Sequence, residues 1–168
     1  MSQRCILPDP FRFAADGRQI EGERQLVALA RLAEYAGPDN DTLKFAVRGG
    51  RGADGKLQLE LAISGQLQLT CQRCLTPMAW PFELVSVLLL VRSGDEIPED
   101  ELEDDERDAI ETTADLDVLA LIEDEVLLAL PVAPRHERCE LPQHAAADEK
   151  KSPFAVLADL KKQGGGDR

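Results

Sequence analysis

The sequence predicts an α+β fold: an antiparallel β-meander, open or curled toward a barrel, with helices packed on it. Three observations carry that reading. Apolar residues alternate through Leu43, Phe45 and Val47, through Leu57, Leu59, Leu61 and Ile63, and through Leu67, Leu69 and Cys71, which is the period of strands with one buried face. A run from Trp80 to Val91 is too continuously apolar to alternate and reads as a central strand. Two other stretches, around residues 21–36 and 116–130, space their apolar residues as helices do.

Taken in order, "EGERQLVALARLAEYA" (residues 21–36) places Leu26, Leu29, Ala30 and Ala33 at helical spacing and stops at Gly37 and Pro38, so a short amphipathic helix is expected. Ser64 and Gly65 mark a hairpin turn between the second and third alternating runs. Four consecutive strands with short turns form a meander, and the Cys71–Pro77 segment then connects the third strand to the fourth at one end of the sheet. Residues 94–108, "GDEIPEDELEDDERD", hold ten carboxylates and one arginine without apolar periodicity. Repulsion and lack of burial favour a solvated, flexible loop at about residues 94–110.

The second helix is expected in "DLDVLALIEDEVLLALP", with Asp115 as N-cap, Asp117 near the positive helix end and Pro131 closing it. Its apolar face combines Leu116, Leu119, Ile122, Val126, Leu127 and Leu130. Glu123 falls inside that face, and a buried carboxylate is costly unless paired. Glu123 is therefore expected at the rim or neutralised by an arginine such as Arg73; in a sharper reading it orders the cysteine loop. Residues 132–151 are polar and proline-broken. In "SPFAVLADLKK", Ser152 caps a short amphipathic helix with Phe154, Leu157 and Leu160 on one side, followed by Lys161 and Lys162, an interaction element expected to dock on the protein itself or on a partner. The domain reading is one α+β domain over residues 1–150 and a helix with a basic tail over 151–168.

Charge and composition narrow the function. The chain has 168 residues and a net charge of −13, distributed as +1 over residues 1–92, −17 over 93–149 and +3 over 150–168. Such acidity repels phosphate backbones and favours basic proteins as partners. No apolar stretch is long enough to span a bilayer and the first twenty residues lack the apolar core of an export signal, so a cytoplasmic protein with reduced thiols is expected. Aromatic residues are 4% of the chain, too few to suggest a base-stacking platform. There is no phosphate-binding glycine loop or nucleophile elbow, and His136 and His144 both lie in polar stretches; an enzyme is not expected.

Four cysteines occur: Cys5, Cys71, Cys74 and Cys139. Cys71 and Cys74 form a Cys-x-x-Cys pair, and His136 and Cys139 a His-x-x-Cys pair with sixty-one residues between the two. Two such pairs can wrap one zinc ion tetrahedrally, which makes Cys71, Cys74, His136 and Cys139 a candidate structural zinc site. A thioredoxin-like redox role needs the first pair at a helix start, whereas here it ends a strand. Small buried thiols without a ligand are the third reading. Cys5 has no role in any of them.

The assembled motifs "DPFRFAADGRQIEGERQL", "LTCQRC", "LDVLALIEDEVLLALPVAPRHERC" and "SPFAVLADLKK" resemble successive signatures of the bacterial YceD family, the large ribosomal RNA subunit accumulation proteins. The resemblance implies a non-enzymatic factor for synthesis, processing or stability of 23S ribosomal RNA. It carries Cys71, Cys74, His136 and Cys139 onto the family's Cys/His positions. The charge map adds a mechanism: the acidic segment, with Asp100, Glu101, Glu103, Asp104, Asp105 and Glu106, shields or delivers a basic large-subunit ribosomal protein or engages a pre-ribosomal particle. The alternative is direct RNA binding through Arg12, Arg18, Arg24, Arg31 and the basic tail.

Overall fold

A computed structural model describes residues 4–38, 41–95, 97, 107–112 and 115–140. The elements follow the order β1 (Ile6–Leu7), α1 (Pro10–Ala15), β2 (Gln19–Gln25), β3 (Thr42–Arg51), β4 (Leu57–Thr70), β5 (Pro77–Arg92), β6 (Asp108–Thr112), β7 (Leu116–Asp117) and α2 (Val118–Leu128). The α+β class holds, with strands β2 to β6 in one sheet in that spatial order and β1 paired with β7 apart from it. The pairs from β2 to β5 are antiparallel, giving the meander. The β5–β6 pair is parallel. The sheet is open, with β2 and β6 at its edges, and does not close into a barrel.

Alternation explains the core. Leu43, Phe45 and Val47 of β3, Leu59, Leu61, Ile63 and Leu67 of β4, and Phe82, Leu88 and Leu90 of β5 are buried together on one face. Register aligns them, with Phe45 opposite Ile63 and Leu59 opposite Leu88. Phe13 and Ala14 of α1, together with Val118, Ile122 and Val126 of α2, join the same core. Helix α1 is capped by the Asp9 carboxylate on the Arg12 N–H at 2.9 Å, and Pro10 fits its first turn. It lies against β3 because Gly49 has no side chain: a Cβ there would stand 2.6 Å from Ala14 Cα and 2.7 Å from the Phe13 carbonyl oxygen.

Several expectations are corrected. Residues 21–36 are not an α-helix; they are edge strand β2 followed by 3₁₀ turns at Leu26–Ala28 and Ala33–Tyr35. Leu26, Leu29 and Leu32 are all buried, although only Leu26 lies within a 3₁₀ turn. Ser64 and Gly65 are not a turn but lie mid-strand in β4, where Gly65 pairs with Phe82. The N-cap of α2 is Asp117 rather than Asp115; its carboxylate accepts the Leu119 N–H at 3.1 Å. Leu116 and Asp117 are diverted into pairing with β1, and Val118 joins the buried face. Among the described residues, no helix is long and apolar enough to cross a membrane.

The carboxylate in the apolar face of α2 also finds its partner. Glu123 is 8% exposed and accepts the backbone N–H of Arg31 at 2.8 Å. The Arg31 guanidinium stands 3.7 Å from the other carboxylate oxygen, and also bonds Asp124 at 2.7 Å and the Ala120 carbonyl at 2.9 Å. The arginine at Glu123 is thus Arg31, not Arg73. Glu123 ties α2 to the leucine-rich 3₁₀ segment.

Candidate metal centre

Strand β4 ends at Thr70 and the chain reverses over residues 71–76 before β5. The turn is closed by the Cys71 N–H on the Thr76 carbonyl at 3.0 Å and the Leu75 N–H on the Cys71 carbonyl at 2.9 Å. Its tightness forces Leu75 to φ 61°, the left-handed region, which costs a non-glycine residue roughly 1–2 kcal/mol. With its side chain 64% exposed, Leu75 recovers little of that through burial. The conformation turns both Cys71 and Cys74 to one side.

The second half of the site arrives after α2, on residues 131–140, which have neither helix nor strand. What places this segment is hydrogen bonding to the two residues between the cysteines. The Gln72 N–H donates to the Pro134 carbonyl at 2.8 Å. Arg73 donates from Nε to Cys139 Sγ at 2.9 Å and from Nη2 to the His136 carbonyl at 3.0 Å.

The result is a cluster of Cys71, Cys74, His136 and Cys139 whose ligand atoms all lie within 4.8 Å of one another. A tetrahedral ion about 2.3 Å from sulfur and about 2.0 Å from nitrogen requires sulfur–sulfur edges near ~3.8 Å and sulfur–nitrogen edges near ~3.5 Å. Cys71 Sγ and Cys139 Sγ are 3.7 Å apart, and Cys74 Sγ and His136 Nδ1 3.3 Å. The donor set therefore fits a metal, and four protein ligands leave no open coordination position. Cys71 is buried and the other three are half-buried.

The electrostatics favour ligand duty at Cys71 and Cys74 and oppose it at His136 and Cys139. Burial pushes the Cys71 thiol up, but the backbone N–H groups of Cys74, His136 and Arg73, followed by the Cys74 side chain, outweigh it and bring its pKa to about 5. The hydroxyl and N–H of Thr76 lower Cys74. Hydrogen bonds with Cys71 and Cys74 raise His136, while burial raises Cys139 against the pull of Arg73. Metal binding needs thiolates, and two of the three are already favoured. The pair does not open a helix, as a thioredoxin-like dithiol would, and all four cysteines are free. Cys5 packs at the edge of the core.

The other candidate residues fall apart from this cluster. Asp100, Glu101, Glu103, Asp104, Asp105 and Glu106, and likewise Phe154, Leu157, Leu160, Lys161 and Lys162, lie outside the described residues. Of the arginines considered for RNA, Arg31 is held by Glu123 and Asp124, Arg12 pairs with Asp16 at 3.7 Å, and Arg24 bonds the Glu23 carbonyl. Arg18 sits over the Phe13 ring. Sequence reasoning missed the contacts of Arg73 with the second half and those of Arg31 with Glu123. Their residue types were visible, but their side-chain directions depend on tertiary contacts.

Comparison with known proteins gives one family match, described as "Large ribosomal RNA subunit accumulation protein YceD", over residues 59–161. The chain is also similar to the Large ribosomal RNA subunit accumulation protein YceD of Haemophilus influenzae. The two are 33% identical over 182 aligned positions, covering 96% of this chain and 99% of the relative. No solved structure matches the chain.

Proposed function

The chain belongs to the YceD family, and from that premise we propose that it is a non-enzymatic ribosome-biogenesis factor that promotes accumulation of 23S ribosomal RNA by binding a basic large-subunit ribosomal protein in the cytoplasm. The observation that carries the partner class is charge segregation: residues 93–149 hold a net −17, while residues 1–92 hold +1. Concentrated negative charge accelerates encounter with cationic polypeptides and opposes RNA phosphates. The factor would then act on ribosomal RNA through the protein it shields or delivers.

Zinc is the metal that best suits three thiolates and an imidazole in a closed tetrahedral set. Bound there, it supplies a structural cross-link between the β4–β5 turn and the segment after α2. This supports a scaffold rather than a catalyst, because a closed site offers no position for substrate.

The test is a pulldown and titration of basic large-subunit ribosomal proteins against the full chain at rising salt. A second chain carries amide replacements (Asp→Asn, Glu→Gln) of the ten carboxylates in residues 94–108. Binding that weakens steeply with salt and is lost in the amide variant is expected. Tight binding to naked 23S transcripts near physiological salt, with no basic protein retained, would overturn the proposal.

A further inference from the structure

The irregular segment carrying His136 and Cys139 has no secondary structure to position it, yet its ligand atoms already stand at near-tetrahedral separations from those of the β4–β5 turn. Two residues of the turn reach it directly. The Gln72 main chain holds Pro134, and Arg73 reaches across with both arms of its guanidinium, one to the Cys139 sulfur and one to the His136 carbonyl. The two acceptors belong to the two ligands of the far half, and a planar fork of fixed donors suits such a pair of contacts as an ammonium does not.

Charge points the same way. Three thiolates and a neutral imidazole around a divalent ion leave one net negative charge in a half-buried site. Arg73 places one positive charge in direct contact with the Cys139 sulfur, and toward a metal-bound thiolate that hydrogen bond is charge-assisted and correspondingly strong.

We propose that Arg73 is the positioning residue of the metal centre: it bolts the His136–Cys139 half onto the Cys71–Cys74 turn, and offsets the excess negative charge once the ion is held. The proposal rests on the metal reading of the cluster. Residues that orient metal ligands without touching the metal are worth about 10–100-fold in affinity.

The experiment titrates the full chain with cobalt(II), read by its thiolate charge-transfer band, and measures zinc retention by competition with a chromogenic chelator. The wild type should take up one ion. Arg73→Ala should bind about 10–100-fold more weakly and show a diminished charge-transfer band, since Cys139 is the ligand it frees. Arg73→Lys, which keeps the charge but not the fork, should fall between. Arg51→Ala, at the opposite end of the sheet, should match the wild type. Equal affinity and identical spectra for wild type and Arg73→Ala would overturn the inference while leaving the metal site standing; failure of the wild type to bind any ion would instead remove the metal reading itself. If Arg73→Ala does not fold, zinc release from Arg73→Lys decides, faster release supporting the bolt and an unchanged rate refuting it.

Discussion

Removing the carboxylate of Glu123 should unlock α2 from the 3₁₀ segment. In Glu123→Ala the Arg31 N–H, which donates to the carboxylate at 2.8 Å, is left without its partner, a loss of about 1.5–3 kcal/mol for a bond to a charged group. The ion pair adds less: Arg31 is 45% exposed, and a pair screened to that degree contributes at most ~1 kcal/mol. The higher helix propensity of alanine returns a few tenths of a kcal/mol. The net expectation is roughly 1–3.5 kcal/mol, and with about 2–4 °C per kcal/mol for a chain of this size, a fall in Tm of roughly 2–14 °C. Glu123→Gln keeps an acceptor for the N–H and should lose about 1 kcal/mol or less. Urea denaturation followed by circular dichroism measures both. If the glutamine variant were as unstable as the alanine one, the carboxylate would be acting by charge and not as a hydrogen-bond anchor. If Glu123→Ala stayed within about 0.5 kcal/mol of wild type, the anchor would not exist.

Three further outcomes are expected. Gly49→Ala drives a methyl into the α1 backbone at 2.6 Å and should cost about 2–4 kcal/mol, or prevent α1 from docking, by the same denaturation assay. Leu75→Gly relieves the left-handed strain at φ 61° and should be neutral to stabilising by about 1 kcal/mol in the metal-free protein, whereas Leu75→Val should destabilise it; a destabilised glycine variant would show that the side chain, not the turn, matters. Asp54 has its pKa held below the ordinary carboxylate value by the hydrogen bond from Arg107, with help from the Lys56 N–H. A lowered folded-state pKa means its contribution is fully present above about pH 4 and is lost as the pH falls through the depressed value. Asp54→Asn should therefore flatten the acid limb of the stability profile below about pH 4, and an unaltered limb would rule the pair out as a contributor.

The sheet was legible where side chains alternate against a core, as in β3 and most of β4. The false hairpin at Ser64–Gly65 came from weighting a turn-forming dipeptide over phase. Apolar residues stay on odd positions from Leu57 through Leu69, so the strand never changes face. Gly65 is small because the Phe82 ring lies over it: a Cβ would be 3.2 Å from the ring's tip. The expected helix at 21–36 failed for a related reason, since Leu26, Leu29 and Leu32 repeat every three residues, which a short window does not separate from the α period. β6 was hidden beside the acidic segment, and α1 was overlooked although Asp9 followed by Pro10 is a capping signal. In the site, residue types and spacing identified the four ligands, but joining two pairs with sixty-one residues between them takes tertiary structure, as does the reach of Arg73.

The parallel pairing of β5 with β6 has a bearing on how the acidic stretch can vary. Asp108 lies beside Leu88 and Thr112 beside Arg92, so the chain leaves β5 and returns about 13 Å back along the same edge, four residues of strand rise. Both attachment points are fixed, and closing such a loop costs only about 0.6 kcal/mol more each time its length doubles. Residues can be inserted or deleted between the two anchors at little expense to folding.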